Sequence, residues 1–108
     1  MEDYKMKLAP IVLFTYNRPQ HTKETVEALR LNELANESEL IIFADAAKNE
    51  EATNSVNETR QYLKTITGFK SVRIIERETN YGLANNIRSG VSTVIDEYGW
   101  IIVWKMTY

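Results

Sequence analysis

The sequence predicts an α/β fold, a mainly parallel sheet with helices on both faces, three layers in all. Three observations predict it. Four short runs rich in aliphatic and aromatic residues recur along the chain, at Ala9–Thr15, Glu39–Ala44, Ser71–Glu76 and Trp100–Trp104. Each is too short for a helix and suits a strand covered on both sides. Between them lie three segments whose apolar residues recur at helical spacing. The connections are short, and the order β-α-β-α-β-α-β implies right-handed crossovers and parallel neighbours.

Taken in order, Ala9–Thr15 reads Ala-Pro-Ile-Val-Leu-Phe-Thr and is stopped by Asn17-Arg18-Pro19. Pro19 suits the first turn of a helix, where its missing N–H costs nothing. Val26, Leu29, Leu34 and Ala35 then predict a helix of about four turns. The second strand, Glu39–Ala44, ends at Asp45. The polar stretch Lys48–Ser55 leads into a helix with Val56, Leu63 and Ile66 on its apolar side, Tyr62 beside them, and Gly68 as its C-terminal cap. The core of the third strand is Val72–Ile75. Asn80-Tyr81-Gly82 then opens a helix with Leu83, Ile87, Val91, Val94 and Ile95 along one stripe. Gly99 ends that helix, and Trp100–Trp104 is the expected fourth strand.

Composition narrows the function. The chain has 108 residues, enough for one domain, and is 44% hydrophobic and 26% charged, as in globular proteins. A formal charge of −2 gives no broad basic field for nucleic acid. Cysteine is absent, which removes disulfides, thiolate metal sites and cysteine nucleophiles together. The mixed polar stretch Met1–Lys7 has no apolar run of a signal peptide. No segment approaches the roughly 20 apolar residues of a membrane span. A cytoplasmic domain without a membrane span is the expectation.

Ligands of open parallel sheets bind outside the carboxyl ends of the strands. Those ends carry Thr15-Tyr16-Asn17-Arg18, Asp45, Arg77-Glu78-Thr79-Asn80 and Lys105-Met106. No G-x-G-x-x-G follows the first strand and no G-x-x-x-x-G-K-[ST] occurs anywhere, so a dinucleotide or P-loop site is ranked low.

Three stretches resemble the GT-A glycosyltransferases, in particular the large inverting family numbered two. They are Pro10–Pro19 (Pro-Ile-Val-Leu-Phe-Thr-Tyr-Asn-Arg-Pro), Asp45 after the second strand, and Asn80-Tyr81-Gly82-Leu83-Ala84. The Asn17-Arg18-Pro19 turn is also similar to that of the N-acetylglucosaminyltransferase I group. The resemblance covers Ala9–Val103 and implies the first, nucleotide-binding half of a nucleotide-diphospho-sugar transferase fold. The implied partner is a nucleotide-sugar, UDP-linked above all.

The resemblance also implies roles. Thr15, Tyr16, Asn17 and Arg18 would wrap the nucleoside, and Asp45 would accept the N3–H of uracil. A carboxylate that only accepts suits an imide N–H. Tyr16 would cover the base and Arg18 would meet the diphosphate. Each has a rival reading: Asp45 as the cap of the following turn, Tyr16 as an aromatic strand end, Arg18 as a solvated cation. Position at the carboxyl edge favours the ligand for Asp45. Asn80 and Gly82 read first as a turn and helix start, with glycine supplying backbone freedom. His21 reads as an exposed structural residue. Many relatives carry a phosphate-directed arginine in the last helix. Here that position is Ile87, and Arg88, about 100° further round, is expected to miss the site.

The family's fourth strand runs into Asp-x-Asp or Glu-Asp-Asp, which holds the Mn²⁺ or Mg²⁺ of complete relatives. This chain reads Trp104-Lys105-Met106-Thr107-Tyr108, with no carboxylate after Glu97. Either a shortened or frame-shifted relative or a domain completed by a separate chain is therefore expected, the change of character after Val103 favouring the first, with no metal, no catalytic residue of its own and negligible transfer as an isolated chain. The alternative is a non-catalytic interaction module. In either case the apolar run Trp100–Trp104 is expected to form an open edge and to build a homo-oligomer.

Overall fold

The computed structural model describes residues 9–101 and 103–108. The Met1–Lys7 stretch and Ile102 lie outside the described residues. Four strands, β1 (Ile11–Thr15), β2 (Glu39–Ala44), β3 (Ser71–Glu76) and β4 (Val103–Thr107), form one sheet in the order β3-β2-β1-β4. All three pairings are parallel. Helices α1 (Pro19–Arg30), α2 (Thr53–Leu63) and α3 (Leu83–Tyr98) make the crossovers. This is the expected α/β/α arrangement.

Side-chain alternation sorts the sheet into two cores. Ile11, Leu13, Leu40 and Ile42 face α1 and α2 and pack with Val26, Leu29 and Leu63. Val12, Phe14, Ile41 and Phe43 face α3 and pack with Val94, Ile87 and Val91. Every residue of β1 is buried, which explains its unbroken apolar run. Phe14 and Phe43 stack across adjacent strands at 5.5 Å. Gly90 lies over both rings, and a Cβ there would stand 2.5 Å from Phe14 Cε1 and 2.8 Å from Phe43 Cδ2. The missing side chain is what lets α3 approach the sheet.

Several boundaries differ from expectation. Helix α1 stops at Arg30, so Leu34 is exposed and Ala35 sits in a separate 3₁₀ turn, Ala35–Glu37. Helix α2 stops at Leu63, and Lys64 to Ile66 finish it through tight i→i−3 bonds to Gln61, Tyr62 and Leu63. Gly68 is therefore no cap: it lies further on, in the turn to β3, at φ +96°. Gly99 does cap α3, at φ +89°, donating its N–H to Ile95 O at 2.8 Å. On α3 the buried stripe is Asn86, Gly90 and Val94, with Ile87, Val91 and Tyr98 at its flank, whereas Ile95 and Leu83 are exposed.

The fourth strand is displaced. It runs Val103–Thr107, and Trp100 and Ile101 lie in the connection before it. Its partner dictates this register: β1 starts at Ile11, which faces Val103, and Pro10 before it has no N–H to donate. Among the described residues β4 pairs on one side only, so the open edge is Val103–Thr107 and not the expected Trp100–Trp104. No helix of the described residues is long and apolar enough to cross a membrane.

Gly90→Ala should overpack the Phe14–Phe43 contact and cost about 1–3 kcal/mol, lowering Tm by roughly 5–20 °C in thermal unfolding followed by circular dichroism. An unchanged Tm would mean that α3 does not depend on this close approach.

Candidate functional site at the carboxyl edge of the sheet

Three loops leave the carboxyl ends of β1, β2 and β3 and meet at Asp45, which is wholly buried. Its backbone continues β2 for one more step, donating N–H to Thr15 O at 2.9 Å. Its carboxylate is filled by donors of the chain itself. Oδ1 accepts the N–H groups of Ala46 at 2.9 Å and Tyr81 at 2.8 Å. Oδ2 accepts the N–H of Gly82 at 2.9 Å and the hydroxyl of Tyr108 at 2.8 Å. Asn80 Nδ2 lies 3.4 Å from Oδ2 and donates more firmly to Ala46 O, at 2.8 Å. Gly82 reaches this position at φ +82° and ψ 161°, backbone that side-chain-bearing residues avoid.

Around this carboxylate lies a polar network that bonds its own members. Asn86, fully buried on α3, donates Nδ2 to Phe43 O at 3.2 Å and to the Tyr108 hydroxyl at 2.7 Å. Its Oδ1 accepts Arg77 Nε at 2.9 Å. The Arg77 guanidinium lies 4.9 Å from the Phe43 ring centre and 4.3 Å from that of Tyr81. Arg60, from α2, donates Nη2 to the carbonyls of Ala44, Asp45 and Arg77 at 3.3, 3.2 and 2.8 Å. It thereby reaches the carbonyls of Asp45 and Arg77 beyond the end of the ladder and adds a second donor to Ala44 O, which already accepts Arg77 N–H at 2.8 Å. Burial pushes the Tyr108 phenol well above its ordinary range and the bond to Asp45 pushes it further, so it remains a donor.

The first loop meets the same corner through Tyr108. The rings of Tyr16 and Tyr108 stack at 5.4 Å and 20°. Tyr16 Oη accepts the N–H of Lys48 at 3.2 Å, and Arg18 Nη1 donates to Tyr108 O at 2.9 Å. Beneath them the buried hydroxyls of Thr22 and Thr107 bond at 2.7 Å. Thr15 is buried, and its Oγ1 has no partner among the described residues. A crevice of about 450 Å³ opens between the ends of β2 and β3, bounded by Ala46, Ala47, Asn57, Arg60, Arg77 and Glu78. A hollow of about 550 Å³, lined by His21, Lys105 and Met106 among others, lies away from this corner, between α1 and β4.

Of the residues expected here, Thr15, Tyr16, Arg18, Asp45, Asn80 and Gly82 converge. Asn17 is half-buried and makes no side-chain hydrogen bond among the described residues. The geometry alters the reading of Asp45. With both oxygens filled by the chain's own donors, it builds the site and has no free acceptor to turn toward a base. Asn80 and Gly82 likewise act as the turn and helix start that hold it. His21 is exposed, and Arg88 points to Asn85 Oδ1 at 2.9 Å, outside the corner. The sequence reading missed Arg60, Arg77, Asn86 and Tyr108. Asn86 carried a signal, since a polar residue four before Gly90 and eight before Val94 sits on the most buried line of α3. Arg77 stood at a strand end. Tyr108 gave no signal.

The divalent cation that the resemblance implies does not fit these residues. The end of β4 presents Lys105, Thr107 and Tyr108, and Asp45 is surrounded by N–H and O–H groups that would repel a cation. Among the described residues no three His, Asp or Glu side chains gather to hold a metal.

A parallel sheet in the order β3-β2-β1-β4, with loops gathered at its carboxyl edge, defines an open α/β domain of the kind that binds ligands at that edge. The family model described as glycosyl transferase family 2 matches residues 11–104, and the chain belongs to that family. No curated protein and no solved structure matches the chain.

Asp45→Ala should strand the N–H groups of Tyr81 and Gly82 and the Tyr108 hydroxyl in a buried site. The expected cost is about 3–5 kcal/mol, measured by urea denaturation. A loss below about 1 kcal/mol would mean that the loops hold together without this carboxylate.

Proposed function

We propose that the chain binds the nucleotide of a sugar nucleotide at this carboxyl edge and serves as the donor half-site of an inverting glycosyltransferase. The observation that carries the reading is the locking of the ends of β2, β3 and β4 to one buried carboxylate beside a crevice of about 450 Å³. Such a site is organised before the ligand arrives, so little ordering entropy is lost on binding. Tyr16 supplies aromatic surface at this edge, with one face of its ring stacked on Tyr108. Arg18, exposed at the start of α1, supplies positive charge for phosphate oxygens.

Uridine, which the resemblance implies, remains the nucleotide to test first, and with Asp45 engaged by the chain's own donors that carboxylate is not its acceptor. The likeness to the N-acetylglucosaminyltransferase I group rests on Asn17-Arg18-Pro19 alone. In this reading the residues named here position the donor, and none of them acts as the base that deprotonates an acceptor hydroxyl.

A UDP titration followed by amide NMR tests the proposal. Saturable shifts are expected at Tyr16, Arg18 and Ala46–Lys48, indifferent to Mn²⁺. Tyr16→Ala should weaken binding about tenfold, the loss of one base–aromatic stack. An absence of saturable shifts at millimolar UDP removes the nucleotide reading.

A second reading concerns assembly. Trp104 and Met106 are exposed on β4, whose outer side is unpaired among the described residues, and such an edge can take up a strand of a second copy. Sedimentation at high micromolar concentration should then show a dimer whose population falls in Trp104→Lys. A monomer throughout excludes it.

A further inference from the structure

The first three residues of the segment Trp104–Tyr108 contrast with β1, the strand beside them. In β1 and β2 every side chain except that of Glu39 is buried. In β4, Trp104 and Met106 are 45% and 48% exposed, Lys105 is exposed between them, and Thr107 is buried. Two large apolar side chains are thus about half exposed, Trp104 covering only the edge of Phe14. A cation and two hydroxyls stand where the fold's cation-holding carboxylates are expected.

The genetic code accounts for this segment. Trp104 and Met106 have one codon each, TGG and ATG. Lys105 is AAA or AAG, Thr107 is ACN, and Tyr108 is TAT or TAC. The string is therefore TGG AAR ATG ACN TAY, where R is a purine, Y a pyrimidine and N any base. Read from one base earlier it becomes NTG GAA RAT GAC NTA. The first codon then encodes leucine, methionine or valine, the second glutamate, the third aspartate or asparagine, the fourth aspartate, and the fifth an aliphatic residue. Glutamate and the fourth-position aspartate follow whichever synonymous codons are used. Acidic codons are a small minority of the code, so an aliphatic residue followed by two forced carboxylates and a third permitted one is a specific outcome.

We infer that Trp104–Tyr108 is read one base out of register with the segment ending at Val103. The adjacent frame of the same bases carries the acidic end of β4. In that frame an aliphatic residue replaces the exposed Trp104, and carboxylates occupy positions 105 and 107. Position 107 is level with Thr15 in the β1–β4 ladder, next to the Tyr16–Arg18 loop. The misfit with a divalent cation is then a property of the reading frame and not of the fold. This inference rests on family membership and the code, independently of the nucleotide reading above.

Sequencing the gene and its transcript from codon 98 onward tests it. One base added between codons 103 and 104 should open a frame that continues uninterrupted well past codon 108. A stop within the first few codons of that frame overturns the inference. At the protein level, the combined change Trp104→Leu, Lys105→Glu, Met106→Asp and Thr107→Asp is compared with the parent chain by Mn²⁺-induced broadening of amide signals. Broadening at Tyr16–Arg18 at Mn²⁺ concentrations that leave the parent unaffected is expected. Equal broadening in the two chains overturns the placing of those carboxylates at the site. If circular dichroism shows the fourfold variant unfolded, Lys105→Glu with Met106→Asp, which spares the buried Thr107, gives the same comparison.

Discussion

A carboxylate buried at a strand end is costly unless donors surround it, and much of this domain is arranged to surround Asp45. The N–H groups that reach it belong to Ala46, Tyr81 and Gly82, so one side chain fastens the exit of β2 to the entrance of α3. The hydroxyl of Tyr108 joins the end of β4 to the same point. Elements far apart in sequence therefore share one anchor, and the loops at the carboxyl edge are fixed relative to one another. Such rigidity is what a preorganised binding site needs.

The anchor depends in turn on packing. Asn86 and Gly90 lie on one line of α3, and the missing Cβ of Gly90 lets that line settle on Phe14 and Phe43. Only at that depth does Asn86 reach Phe43 O, Tyr108 and Arg77 together. The stacked phenylalanines are thus both core and foundation: Phe43 carries the helix above it and offers a ring face to the Arg77 guanidinium. Close-packed interiors transmit small displacements, which ties the polar corner to an apolar contact several residues away.

The layered fold was legible because it rests on local patterns. Unbroken runs such as Ile11–Thr15 and Leu40–Ala44 mark strands covered on both sides, and the helical periods between them fix the alternation. The ends of elements were less legible. Gly68 resembled a cap but serves a turn beyond the helix, and Ile95 shared the helical spacing while facing solvent. The fourth strand was misplaced because its register is set by β1, a partner nearly the whole chain away. Within the site, the prominence of Asp45 was visible from its position at a strand end. Its role was not, because the donors that fill it are main-chain groups of Tyr81 and Gly82 and a hydroxyl at Tyr108, and no local pattern records where a backbone N–H points.

The β1–β4 ladder has a consequence for how the chain acquires this shape. Ile11 faces Val103, so the strand at the centre of the sheet obtains its second neighbour only after almost all the intervening residues have been gathered in. Closing so long a loop is entropically slow, and folding rates fall as contacts become more distant in sequence. During synthesis β1 and β2 can pair while one flank of β1 still lacks a partner. In that interval the unpaired N–H and C=O groups along its free edge are open to whatever extended segment is nearby.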